Sequence, residues 1–443
     1  MKRNYLALVA MLCCGTGFAA EGQRAYYQDD LQGVDQIAQV GFLGGDDCGC
    51  EVAEPTCGCE GPCDCPAGEP TCGMEFMDGG CDSGCDSGCG SIFDSACECN
   101  LGDPLVLFGE CGNFSVGGWA SIGYHTAALP LFNSKPSEVQ LHQAWLFAEK
   151  ALDTECGFDI GGRIDYIYGT DGPDTQAFGI DNDHWDNSWE TQDQYGHAIP
   201  QLYAEAGYGD WSVKAGHFYT TIGWEVVQST GNFFYSHAYT MYNSEPFTHT
   251  GALATFSGME KLSLFGGYVM GWDSGFEDNG DAFLGGATLT LSDDVAVTYS
   301  AVGGIFANNQ AGLEKGYMHS IVADVSLTDN LQYVFQSDLL SSENRMGGTV
   351  RDTFGVNQYL IRTINDCLAL GGRFEWYNAE GTAGVPVGTD ADIYALTLGV
   401  NYKPHANVTV RPEIRWDWDD SRLVGLRDGD KQTTFGIDSV ITF

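Results

Sequence analysis

The chain has 443 residues, with 19 Lys and Arg against 61 Asp and Glu, a formal net charge of −42, and it carries 60 glycines and 12% aromatic residues. Such acidity repels phosphate and excludes nucleic acid as a partner, while the aromatic content excludes a wholly disordered acidic chain. No stretch approaches the roughly 18–20 continuous apolar residues of a spanning helix, so a helical membrane anchor is excluded too.

At the start, Met1-Lys2-Arg3, the apolar run from Tyr5 to Cys14 and the small-residue stretch Gly17-Phe18-Ala19 predict a secretory signal peptide over residues 1–19, cleaved after Ala19. Leu12 stands before Cys13 where a lipoprotein site wants a small residue, which argues against lipidation. Residues 20–47 read as a linker. Residues 48–112 read as a disordered, low-complexity, Cys-rich arm in which Glu54-Pro55-Thr56-Cys57-Gly58 recurs as Glu69-Pro70-Thr71-Cys72-Gly73. Twelve of the 17 cysteines lie between Cys48 and Cys99: Cys48, Cys50, Cys57, Cys59, Cys63, Cys65, Cys72, Cys81, Cys85, Cys89, Cys97 and Cys99. Export favours disulfides. Pairs such as Cys97-Glu98-Cys99 are too close to bond each other easily, so each is expected to pair farther away or with neighbouring envelope proteins. Thiolate metal binding and a passive spacer are the alternatives, the first weakened by one-residue gaps unlike those of zinc sites. Cys111, Cys156 and Cys367 stand isolated and read as structural or stray.

Residues 113–443 change texture, to segments of 8 to 14 residues with period-two alternation. In Val408–Trp418 the even positions are apolar and Thr409, Arg411, Glu413, Arg415 and Asp417 occupy the other face, as a strand between hydrocarbon and water would have them. Sixteen such segments begin near residues 114, 138, 155, 198, 211, 248, 260, 282, 294, 317, 330, 351, 366, 390, 407 and 431. Short turns alternate with connections of roughly 8 to 30 residues, the rhythm of periplasmic turns and external loops. The fold class expected is all-β, a transmembrane antiparallel barrel of about 16 strands. Its last strand ends on Phe443, which looks like an outer-membrane insertion signal. Trp119, Tyr124, Trp211, Tyr268, Trp272, Trp376, Tyr402 and Trp418 are placed as membrane-interface girdles would be.

Sixteen strands leave room for an aqueous channel. Alternation points Arg163, Lys214, Arg373, Arg411 and Arg415 inward with Asp159, Asp165, Glu205, Glu375, Glu413 and Asp417, as pore-lining charges. They could form a transverse field or neutralise one another across strands. Arg411 and Arg415 share one face and are the best basic strip. The long connection Tyr219–Phe247 is too aromatic for a solvated loop. Folded into the bore, it would present Trp224, Glu225, Tyr235 and Glu245 as a constriction, with Glu225 or Glu245 facing the arginine strip.

Ala215-Gly216-His217-Phe218, Ile222-Gly223-Trp224-Glu225, Phe234-Tyr235-Ser236 and Glu245-Pro246-Phe247-Thr248-His249-Thr250-Gly251 resemble the OmpL-like β-barrel porin family of planctomycete outer membranes, over roughly residues 114–443. The resemblance implies an outer-membrane porin and carries nothing for the Cys48–Cys99 arm.

In the acidic second long connection, Asp181, Asp183 and Asp186 are candidate ligands for a structural calcium, although the stretch lacks the glycine and distal glutamate of an EF-hand. No other cofactor is expected. No Gly-x-Ser-x-Gly elbow, phosphate loop or His-Glu-x-x-His motif appears, so an enzyme is not expected. The reading is a porin of the bacterial outer membrane that passes small hydrophilic solutes passively, contacts lipid and is able to form homotrimers. A structural envelope protein with a disulfide-cross-linked arm is the alternative.

Overall fold

The computed structural model describes residues 99–443 except 109, 112, 130 and 190–193. The signal peptide, the linker and the cysteines from Cys48 to Cys97 lie outside the described residues. The first half of the barrel is β2 (Phe114–His125), β3 (Gln140–Lys150), β4 (Phe158–Gly169), β5 (Gly196–Tyr208), β6 (Trp211–Tyr219), β7 (Thr248–Met259), β8 (Leu262–Val269) and β9 (Ala282–Ser292). The second half is β10 (Val295–Asn309), β11 (Gly312–Thr328), β12 (Leu331–Glu343), β13 (Thr349–Asn365), β14 (Leu368–Glu380), β15 (Ala391–His405), β16 (Val408–Asp419) and β17 (Lys431–Thr442). A two-residue strand β1 (Glu110–Cys111) pairs with the start of β2. Each of the sixteen long strands pairs antiparallel with its sequence neighbours, and β17 closes the cylinder on β2. Among the described residues no helix is long and apolar enough to cross a membrane; strands make the wall.

Period-two patterning produces the two faces. On β4, Phe158 and Ile160 are 69% and 58% exposed whereas Arg163 and Asp165 are buried. On β16, Arg411, Glu413, Arg415 and Asp417 are all buried on the inner face. Closure leaves no sheet edge, so every strand's backbone groups have partners where water is absent. At the seam, Phe443 N–H donates to the Gly118 carbonyl at 2.9 Å and its carbonyl accepts from Gly118 at 3.0 Å.

Three expectations need correction. Trp119 and Trp272 are not girdle residues: both are buried, Trp119 stacked on Trp145 at 4.7 Å and Trp272 on Phe306 at 4.3 Å. The connection between β10 and β11 is only Gln310–Ala311, because these strands run to 15 and 17 residues. Alternation also missed an apolar inner wall. Leu253, Phe265, Val269, Leu284, Val302, Met318 and Leu340 are buried in one cluster with Ile222, a residue of the β6–β7 connection. Lumenal positions can be apolar where a loop, rather than water, covers them.

Cys367, read as structural or stray, is structural: it is disulfide-bonded to Cys99, with Cα atoms 5.8 Å apart. It sits in the β13–β14 turn at the same end as the start of β2, where the chain arrives. Leu101 accepts from Ala406 at 2.9 Å and Asn407 Nδ2 donates to the Leu105 carbonyl at 3.0 Å, so residues 99–105 run along the short-turn rim. Cys99 thus pairs at long range, as the spacing argument required. Non-reducing peptide mapping is expected to link the Cys99 and Cys367 peptides, and Cys367→Ser to separate them.

Candidate functional site

The 220–247 connection turns into the barrel and is held there by groups from the wall. It contains the helical turn Ser229–Gly231 and the helix α1 (Tyr239–Ser244). Between them, extended backbone exposes its own N–H and C=O groups, which must find partners once removed from water. The wall supplies carboxylates for the donors. Glu413 Oε2 accepts from Tyr235 N at 3.0 Å and Ser236 N at 3.2 Å. Glu375 accepts from Tyr239 N, Thr240 N and Thr240 Oγ1 at 2.7–2.8 Å, capping the start of α1.

Arginines serve the acceptors. Arg373 Nη1 donates to Ser236 O at 2.6 Å, Arg411 Nη1 to Ser229 O and Asn232 O at 2.7 and 2.6 Å, and Arg415 Nη1 to His237 O at 2.6 Å. The planar guanidinium keeps edges for acids as well. Arg373 pairs with Glu225 at 2.6 Å, Arg411 with Asp438 at 2.5 Å and Arg415 with Asp417 at 2.8 Å. Buried arginines at these three positions are therefore paired and bonded to the loop at once.

Glycines on the wall make room for loop side chains. A β-carbon at Gly123 or Gly436 would stand 2.6 or 2.8 Å from Tyr235, at Gly355 2.5 Å from Thr240 Oγ1, and at Gly371 inside the Phe233 ring. Tyr235 Oη then meets His142 Nε2 at 2.6 Å. Next to His142 on β3, Gln143 accepts from Ser229 N and donates to Val227 O.

The predicted constriction residues Trp224, Glu225, Tyr235 and Glu245 all lie in this inserted segment, but the expected opposition to the Arg411–Arg415 strip does not occur. Glu225 meets Arg373, from β14. Burial pushes the Glu225 carboxyl up, and Arg373 and His237 together pull it below its ordinary range. Glu245 meets no arginine in these contacts; it accepts from Gln336 Nε2 at 2.7 Å. Arg163 belongs to a separate wall cluster, pairing with Asp165 at 2.6 Å and Glu149 at 2.8 Å, over the Phe147 ring at 4.5 Å. Lys214 lies over the Tyr203 ring at 4.2 Å, in register with Glu205, and Asp159 pairs with Lys150 at 2.8 Å. Sequence reasoning missed Asp438, Gln143, Gln336 and the glycine sockets. Asp438 stood on the polar face of a recognised strand, and a glycine inside a strand is itself a cue to close approach.

The calcium candidates do not converge. Asp186 is buried, with its oxygens taken by Ala177 N and Ile199 N, and burial lifts its carboxyl to about 6. Asp181 accepts from Gln310 N instead. Among the described residues, no group of three or more His, Cys, Asp or Glu side chains is placed to hold a metal ion.

Solved structures of similar architecture are outer-membrane barrels. OmpT of Vibrio cholerae, solved in its trimer form, covers 75% of this chain with 100% of its own at 12% identity and a TM-score of 0.52. An anion-selective porin from Comamonas acidovorans gives 74% and 99% coverage, 10% identity and 0.52. OmpF of Salmonella typhi, in complex with daunomycin, gives 75% and 98%, 14% identity and 0.52. These identities establish the fold alone. No curated protein matches. Residues 113–443 match the family described as "Putative beta-barrel porin-2, OmpL-like", which is the barrel and its inserted loop entire, and the chain belongs to that family of outer-membrane porins.

Proposed function

We propose that the barrel is a passive, cation-preferring pore for small hydrophilic solutes, narrowed by the 220–247 loop. One observation carries the preference: among the described buried residues of the strands, eight Asp and Glu stand against five Lys and Arg. Arginines bound to the loop and to neighbouring acids leave the excess field negative, which concentrates cations and repels anions. In this reading Arg163, Asp165, Lys214, Arg373, Glu375, Arg411, Glu413, Arg415 and Asp417 form the wall of the bore, and Trp224, Glu225, Tyr235 and Glu245 form its constriction. Purified protein in planar bilayers under a potassium chloride gradient is expected to give a reversal potential of cationic sign. A potential of zero or of anionic sign would refute the preference, and persistent electrical silence would refute the pore.

A structural role for the arm is the second reading, favoured by the Cys99–Cys367 bond that ties the arm's base to the barrel rim. Because OmpT was solved as a trimer, a homotrimer is our reading of the assembly here; cross-linking in detergent tests it.

A further inference from the structure

Glu245 ends the inserted loop, next to Pro246 and the start of β7, and its carboxyl is lodged against β12. There it meets Asp338, and both side chains are buried. Gln336 holds the two together, its Nε2 donating to Glu245 Oε1 at 2.7 Å and to Asp338 Oδ2 at 2.9 Å, while its Oε1 accepts from Trp224 N at 3.1 Å. Asp338 Oδ1 is buried with no hydrogen-bond partner among the described residues. One amide nitrogen thus holds two buried carboxyl groups, and a carboxyl oxygen buried without a donor is relieved by carrying a proton. Behind the pair, Gly223 has a φ of +89° and no room for a β-carbon against the Glu245 carboxyl.

The surroundings offer little to neutralise a second charge. Glu225 from the loop and Glu375 from β14 are themselves acidic, and the cations near them, Arg373 and Arg415, already face those acids. Ser320 from β11 and Tyr359 from β13 are neutral neighbours. Lys214 shares a small cavity of about 60 Å³ with Glu245, lying over the Tyr203 ring. Two adjacent buried carboxyls in such a setting cannot both ionise without repulsion.

We propose that Glu245 and Asp338 form a proton-binding site that latches the base of the inserted loop to β12. With one proton shared, the loop's end is held beside Gln336 and Gly223. When the proton leaves for water, two carboxylates repel, the loop end loosens and the bore widens. Repulsion between two adjacent buried carboxylates sets the sign: the latch is whole at low pH and is lost as pH rises.

The test is single-channel conductance of the full-length protein from about pH 5 to about pH 9. Wild type is expected to rise by about two-fold or more on the alkaline side. Glu245→Gln and Asp338→Asn, whose amides stand in for the protonated partner, are each expected to stay low across the range. A flat wild-type profile, or an alkaline step that survives in both variants, would overturn the latch. Hydrogen exchange of residues 243–247 in unmodified protein gives a readout independent of the variants' folding and of ion current. Exchange corrected for its intrinsic pH dependence should accelerate as pH rises, and unchanged protection would equally overturn the proposal. A pore that conducts without cation preference leaves both readouts intact, so the two proposals fail separately.

Discussion

Arg373→Ala is expected to release the inserted loop while leaving the barrel standing. Arg373 is buried, pairs with Glu225 at 2.6 Å, donates to Ser236 O and Oγ, reaches Thr397 Oγ1 at 3.2 Å and lies over the Phe234 ring at 5.1 Å. Truncation removes all of these and strands Glu225, which keeps only the Ala238 N–H and the Tyr359 hydroxyl as donors in these contacts. Removing one partner of a buried pair costs about 3–5 kcal/mol, because the other charge is left uncompensated. The wall itself is held by the backbone ladders of sixteen strands, none of which passes through this side chain. The loss therefore falls on the loop. Hydrogen exchange of the amides between residues 225 and 245 should accelerate roughly 10²–10³-fold, with strand amides unchanged, and single-channel conductance should rise. Glu225→Ala added to Arg373→Ala should cost much less than the sum of the two single changes, because neither charge is then stranded. Strand and loop amides accelerating together would show instead that the pair supports the whole barrel.

The second large effect is steric. Gly371→Ala places a methyl group inside the volume of the Phe233 ring, which packs with Phe234, Val322, Val334, Tyr359, Ile361 and Ala369. A ring in a filled cluster cannot yield by changing one rotamer, and overpacking of this kind costs about 1–3 kcal/mol. Gly371 sits on the inner face of β14 two residues from Arg373, so displacement of Phe233 should also misalign the Ser236 contact. The expected result is a wider, noisier channel. The companion change Gly372→Ala, at a position whose β-carbon would meet only Leu398 at 3.4 Å, should leave conductance near that of wild type. Equal effects at the two glycines would mean that Gly371 is not a socket.

Much of this molecule is written locally. Alternation is a property of consecutive residues, so all sixteen long strands start within a few residues of where the pattern begins. The same period put Arg163, Arg373, Arg411 and Arg415 on the inner face, because one face had to meet hydrocarbon. The pattern was least regular in β3, β6 and β13. In β3 the consecutive His142 and Gln143 are both buried, beside a register shift in the pairing with β2. In β6, Gly216 at a φ of +136° breaks the alternation and leaves both His217 and Phe218 buried.

The aromatic content of residues 219–247 told that this connection was no solvated loop, yet not what would grip it. Glu225 lies 148 residues from Arg373, and Asn232 lies 179 residues from Arg411. Alternation says that a charge faces inward but is silent on which charge it meets across the lumen, since that depends on how sixteen strands tilt and close. Cys367 was legible as a turn residue, and its partner Cys99 was legible as a cysteine needing a distant mate; only closure of β17 on β2 brought the arm's base to that rim. By itself, then, the sequence determined the strands, their two faces and the membrane they suit, because those follow from nearest-neighbour chemistry. The tertiary structure alone decided the loop's grip, the glycine sockets and the pairing of Glu245 with Asp338 on Gln336, because each joins residues brought together only when the cylinder closes.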